Sequence, residues 1–136
     1  MSVKPSLTGR LFGSLGAIYI GVMILFAVSP DLPILFSNNI SRQFNWPVLS
    51  PVGERFWFSI ALSVPGVRAL LAFAAARHPV YARLFVNILQ ASLIIAAIAF
   101  AFHFIFYRHA LLYAVGFATE LIQIVFYYFL MSRLRL

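Results

Sequence analysis

Glu120 is one of three acidic side chains in 136 residues and the only charge between Ala110 and Met131. Arg68 is likewise the only charge between Phe56 and Ala76. An ionised group in hydrocarbon is costly, so such residues turn toward a bundle interior or a cavity and find partners there. The two residues therefore predict a polar layer inside a membrane-embedded helix bundle. As a mutually neutralised pair they would hold helices in register. As part of a ligand pocket or relay, Glu120 would bind a cation or exchange a proton. A third arrangement has Arg68 snorkelling to the headgroups and Glu120 kept protonated by desolvation.

Spacing adds amides to this layer. Glu120 and Gln123 lie three residues apart, as do Asn87 and Gln90, so each couple shares a helix face. At about 1.5 Å rise per residue, Arg68 falls about 12 Å from the cytoplasmic end of its helix, Glu120 about 16 Å, Gln123 about 12 Å, Gln90 about 9 Å and Asn87 about 4 Å. Arg68, Asn87, Gln90, Glu120 and Gln123 are thus predicted to form one stratum drawn from three helices. Pro65-Gly66, just before Arg68, predicts a kink or partial unwinding there, because proline removes a donor and crowds the preceding turn.

The elements that must carry these residues follow from composition. The chain is 63% hydrophobic and 10% charged, with a mean hydropathy of +0.97. A soluble domain of this length needs a polar surface that these residues cannot supply. Apolar runs over about 11–28, 56–76, 84–106 and 110–131 each approach the about 20 residues that span about 30 Å of hydrocarbon. They are continuous rather than alternating, which argues for helices over barrel strands. The predicted fold is all-α: one membrane domain over 1–136, a four-transmembrane-helix bundle with one long outer loop at 29–55. The first helix is read as an uncleaved span rather than a signal peptide.

The net charge of +7 comes from ten basic residues scattered singly, a pattern of topology signals and lipid contacts rather than of nucleic-acid binding. Lys4, Arg10, Arg77, Arg83, Arg133 and Arg135 fall on one side, against Arg42, Arg55 and Arg108 on the other. The positive-inside rule then makes both termini cytoplasmic. The loop is itself apolar at 33–36 and 44–49, and is expected to lie on or dip into the interface. Trp46, Trp57, Tyr81, Tyr107, Tyr127 and Tyr128 are read as interfacial anchors.

Gly9, Gly13, Ala17 and Gly21 recur at four-residue spacing, a small-residue stripe that permits close approach of another helix, in this bundle or in a partner. Phe100, Phe102, Phe104, Phe106 and the run 126–129 are expected to face lipid or a neighbouring protein. His78, His103 and His109 are not at metal-ligand spacing, so no metal site is expected. There is no cysteine, which excludes thiolate sites and disulfides. No phosphate-binding glycine loop or hydrolytic triad is present, so no catalytic residue and no cofactor is assigned.

The glycine-bearing first helix, the long outer loop, Glu54-Arg55-Phe56-Trp57 at the start of the second helix, the short Ala76-Arg77-His78-Pro79 link and Glu120-Leu121 in the last helix resemble DoxX-like small four-helix bacterial membrane proteins. The resemblance implies a compact four-helix bundle in the bacterial inner membrane. Some such proteins are linked to respiratory or redox complexes, and the resemblance carries over no catalytic residue. The leading expectation is a small non-catalytic membrane subunit or accessory protein, packing against other membrane subunits or into a homo-oligomer. A small carrier or channel using Glu120 and Arg68 is the alternative, and a membrane enzyme acting on lipid or quinone the third reading.

Overall fold

The computed structural model describes residues 7–134, with side chains except at 51–61 and 134. Its helices are α1 (Leu7–Val28), α2 (Leu32–Gln43), α3 (Pro51–Arg77), α4 (Ala82–Phe106) and α5 (Leu111–Leu134), with a single 3-10 turn at Pro79–Tyr81. Three stretches, Leu7–Val28, Pro79–Phe106 and Leu111–Arg133, are long and apolar enough to cross a membrane. The chain is therefore a helical, multi-pass membrane protein.

Each helix buries a narrow face. On α1 it is Phe12, Gly16 and Tyr19, and on α4 it is Ala82, Val86, Leu89, Leu93 and Ala97, both at the spacing that keeps residues on one side of a 3.6-residue turn. The inward residues of α3 include Ala69, Ala72 and Ala75. Small side chains let it lie between α1 and α4, against both of which it packs, and close approach of this kind is how membrane helices associate. Large apolar side chains such as Ile18, Leu70, Ile95, Ile122 and Phe129 point outward, the arrangement expected where the solvent is hydrocarbon.

Helix α3 is continuous through the buried Pro65, so the backbone around Arg68 is not unwound. It ends at His78 in a non-helical conformation (φ −124°, ψ 73°), because the following Pro79 disfavours the helical region for the residue before it.

The segment 29–55 is not one long loop. It contains α2, and α3 begins at Pro51. Periodicity did not reveal α2 because its buried face is mostly polar: Ile34 is joined there by Ser37, Asn38 and Ser41. Asn38 spans to the returning chain, its Nδ2 donating to the Leu49 carbonyl at 2.7 Å while the Leu49 N–H donates to its Oδ1 at 2.8 Å. The helix ends as Phe44 and Trp46 both donate N–H groups to the Ser41 carbonyl. Asn45 takes a left-handed conformation (φ 56°), which asparagine tolerates better than most residues. Ile34, Leu49 and Ala110 then form a second small core that seats α2 on the start of α5.

Among the described residues, the Gly13, Ala17 and Gly21 positions of the four-residue stripe on α1 are not where helices approach most closely. A Cβ added at Gly13 or Gly21 would meet nothing within 4 Å, and Ala17 and Gly21 are exposed. At 3.6 residues per turn, each four-residue step rotates by about 40°, so the row that starts at Gly9 winds out of the interface. The close approach is made by Gly16 instead, where a Cβ would stand 2.8 Å from the Phe73 ring, and by Gly116 of α5, where it would stand 2.6 Å from the ring of Phe100. Gly→Ala at all four sites adds the same helix propensity, about 1 kcal/mol. Relative to Gly13→Ala and Gly21→Ala, the Gly16→Ala and Gly116→Ala variants are expected to be less stable by about 1–3 kcal/mol, the usual cost of overpacking. Thermal midpoints of the four variants in one detergent check this.

Candidate functional site

The polar residues of α5 fall on one face because Glu120, Gln123 and Tyr127 are spaced three and then four residues apart. Opposite them stand Arg68 of α3 and Tyr19, which lies on the same buried face of α1 as Phe12 and Gly16.

Arg68 Nη1 donates to Glu120 Oε1 at 3.0 Å, and Nη2 lies 2.8 Å from Oε2. Their side chains are only 5% and 9% exposed. This is a buried ion pair with one charge-assisted hydrogen bond and a second close approach of opposite charge. Arg68 thus turns to Glu120 rather than away from it, which is the paired arrangement and not the snorkelling one. Arg68 Nε and Nη2 and Glu120 Oε2 are buried and have no hydrogen-bond partner among the described residues, although Nη2 and Oε2 lie within ion-pair distance of each other.

Beside the pair, Tyr19 donates its hydroxyl proton to Gln123 Oε1 at 2.8 Å, and the Tyr127 hydroxyl lies 3.1 Å from that of Tyr19. With the Tyr19 proton committed to the amide, Tyr127 is the donor in the second bond. Gln123 Nε2 reaches back to the Thr119 carbonyl at 3.4 Å. One polar cluster thus ties α1, α3 and α5 together.

Its membership differs from the predicted stratum. Asn87 is exposed and Gln90 half-buried on α4, and no hydrogen bond joins either to Arg68 or Glu120 among the described residues. The inward face of α4 is occupied by Val86, Leu89 and Leu93, and each amide follows an inward residue by one position, about 100° around the helix. A position in the same half of the helix did not mean the same direction around it.

Tyr127, read as an interfacial anchor, is 1% exposed and lies in the core. Tyr19 lies outside the predicted stratum, and its one sequence signal is a tyrosine hydroxyl in the middle of an apolar helix, which needs a partner when buried. Among the aromatics assigned to the periphery, Phe102, Phe106, Phe126, Tyr128 and Phe129 are exposed, whereas Phe100 turns onto Gly116. His103 donates its Nδ1–H to the Ala99 carbonyl at 2.9 Å and stacks on Tyr107.

Chemically, the charges of the cluster answer each other while its hydrogen bonding is incomplete. Both Glu120 oxygens lie near the guanidinium, both tyrosine hydroxyls are engaged, and no group of three metal-ligating side chains occurs among the described residues. A general base or cation site requires a carboxylate free to accept a proton or an ion. Comparison with protein-family models, curated proteins and solved structures gives no match.

Proposed function

We propose that this chain is a small non-catalytic membrane subunit or accessory protein of the DoxX-like kind, a four-span bundle that associates with other membrane subunits or with copies of itself. The observation that carries this reading is the buried Arg68–Glu120 pair, in which each charge is answered by the other across α3 and α5. Buried pairs of this type serve register and specificity as readily as activity.

The fourth span is α3. It is 27 residues long, more than enough to cross the hydrocarbon, and it lies against both α1 and α4. With four spans, the basic residues at Lys4, Arg10, Arg77, Arg83, Arg133 and Arg135 put both termini in the cytoplasm of a bacterium, with Arg42, Arg55 and Arg108 outside. The exposed Ala17–Gly21 side of α1 and the outward aromatics of α4 and α5 are surfaces suited to helix association.

One observation favours the carrier reading: the unpaired Arg68 Nε donor beside the Tyr19–Gln123–Tyr127 chain. Native mass spectrometry of mildly solubilised protein separates the two. Stoichiometric assemblies are expected, whether with larger membrane proteins or as homo-oligomers. A lone monomer whose proteoliposomes pass an ion or solute, with flux abolished by Glu120→Gln, would replace this reading with the carrier.

A further inference from the structure

Helix α2 is amphipathic the wrong way round for a water-exposed loop. It turns Ser37, Asn38 and Ser41 toward the protein and Leu32, Leu35 and Phe36 away from it. In water the opposite orientation would win, because the apolar side chains would seek the core and the hydroxyls and amide the solvent. The polar face is held in place by the two hydrogen bonds between Asn38 and Leu49.

The outward face is also graded along its length. Leu32, Leu35 and Phe36 occupy the first turns, whereas Asn39, Arg42 and Gln43 are the exposed residues of the last. We propose that α2 sits obliquely in the outer membrane interface and that its outward face is covered by phospholipid. Acyl chains cover Leu32, Leu35 and Phe36, and lipid phosphates meet Arg42. Phe44, Trp46 and Val48, all exposed, bring the chain back toward the apolar region after the helix.

Lipid is favoured as the occupant by continuity and by charge. Val28, at the end of α1, is exposed and apolar, and only the short Ser29-Pro30-Asp31 link separates it from the outward Leu32, Leu35 and Phe36 of α2. Ala110, at the start of α5, packs with Ile34 and Leu49, which sets α2 beside the outer end of α5 and near the exposed Arg108. Arg42 and Arg108 are both exposed, and exposed cations on the face of an interfacial helix and beside it suit anionic phosphate. Interfacial helices bury an apolar face about 5–10 Å below the headgroups. From Phe36 to Gln43, seven residues cover about 10 Å of axis, enough for an oblique helix to pass from one environment to the other.

This inference rests on the membrane reading of α1, α4 and α5, and the test separates the two. The chain has no cysteine, so Phe36→Cys, Gln43→Cys and Ile95→Cys can each carry a nitroxide in otherwise native protein reconstituted in vesicles of phosphatidylcholine and phosphatidylglycerol. Phe36 and Ile95 are 67% and 68% exposed, so the labels should be tolerated. Collision with dissolved oxygen, which concentrates in the bilayer, is compared with collision with an aqueous nickel chelate. The Phe36 and Ile95 labels are expected to favour oxygen, and the Gln43 label the nickel chelate, with the ratio differing severalfold between Phe36 and Gln43. A Phe36 label as open to nickel as Gln43 would place α2 in water and overturn the proposal. A Phe36 label shielded from both, with spin–spin broadening, would overturn it in favour of a second copy covering the face. If the Ile95 label favoured nickel, the membrane reading itself would fail.

Discussion

Arg68→Ala is expected to cost about 3–5 kcal/mol of stability, because removing one partner leaves the other charge buried without compensation. The residue left behind, Glu120, is itself buried among α1, α3 and α5 contacts, and it would have to take up a proton or draw in water to remain there. A loss of that size is comparable with the total stability of many domains. The measurable result is a sharp fall in monodisperse protein after solubilisation and a lowered thermal midpoint in the fraction that survives. Arg68→Lys should be intermediate, since an ammonium offers a point charge in place of the fork. The double change Arg68→Met, Glu120→Leu should recover much of the stability, as apolar replacements of buried pairs often do. Unchanged yield and midpoint for Arg68→Ala would show that the pair does not hold the bundle.

For Asn38→Ala, the expected result is loss of the α2 seat without collapse of the main bundle. The substitution strands the N–H and the carbonyl of Leu49, which is buried, and each unpaired buried group costs about 1–3 kcal/mol. Because α2 packs on α5 but contributes nothing to the main core, the damage should appear as rapid proteolysis between α1 and α3, with the thermal midpoint of the bundle shifted less. Asn38→Asp keeps the acceptor for the Leu49 N–H and removes the donor to its carbonyl, so it should fall between the wild type and Asn38→Ala. Equal protease resistance in all three would mean that α2 is held by its apolar contacts at Ile34 alone.

The membrane class was legible without any coordinates, because it depends only on how much apolar surface a chain of this length must hide. The same is true of the isolated charges: a single arginine and a single glutamate in separate apolar runs each require a partner, and each is the other's obvious candidate. Two kinds of feature were not legible. The first is direction around a helix. Asn87 and Gln90 have suitable depth but lie off the inward face of α4, whereas Tyr19 and Tyr127 lie on the inward faces of α1 and α5. Likewise, the evenly spaced Gly13–Ala17–Gly21 row rotates outward while Gly16, outside the row, meets Phe73. The second is the orientation of α2, whose polar residues face inward because Asn38 meets Leu49.

Composition and run length act on the chain one segment at a time, and so the sequence alone determined an apolar helical protein with two buried opposite charges. Which rotation each helix adopts depends on its neighbours. Only the tertiary structure decided that the polar cluster is Tyr19, Arg68, Glu120, Gln123 and Tyr127, and that the helix between α1 and α3 presents its apolar side outward.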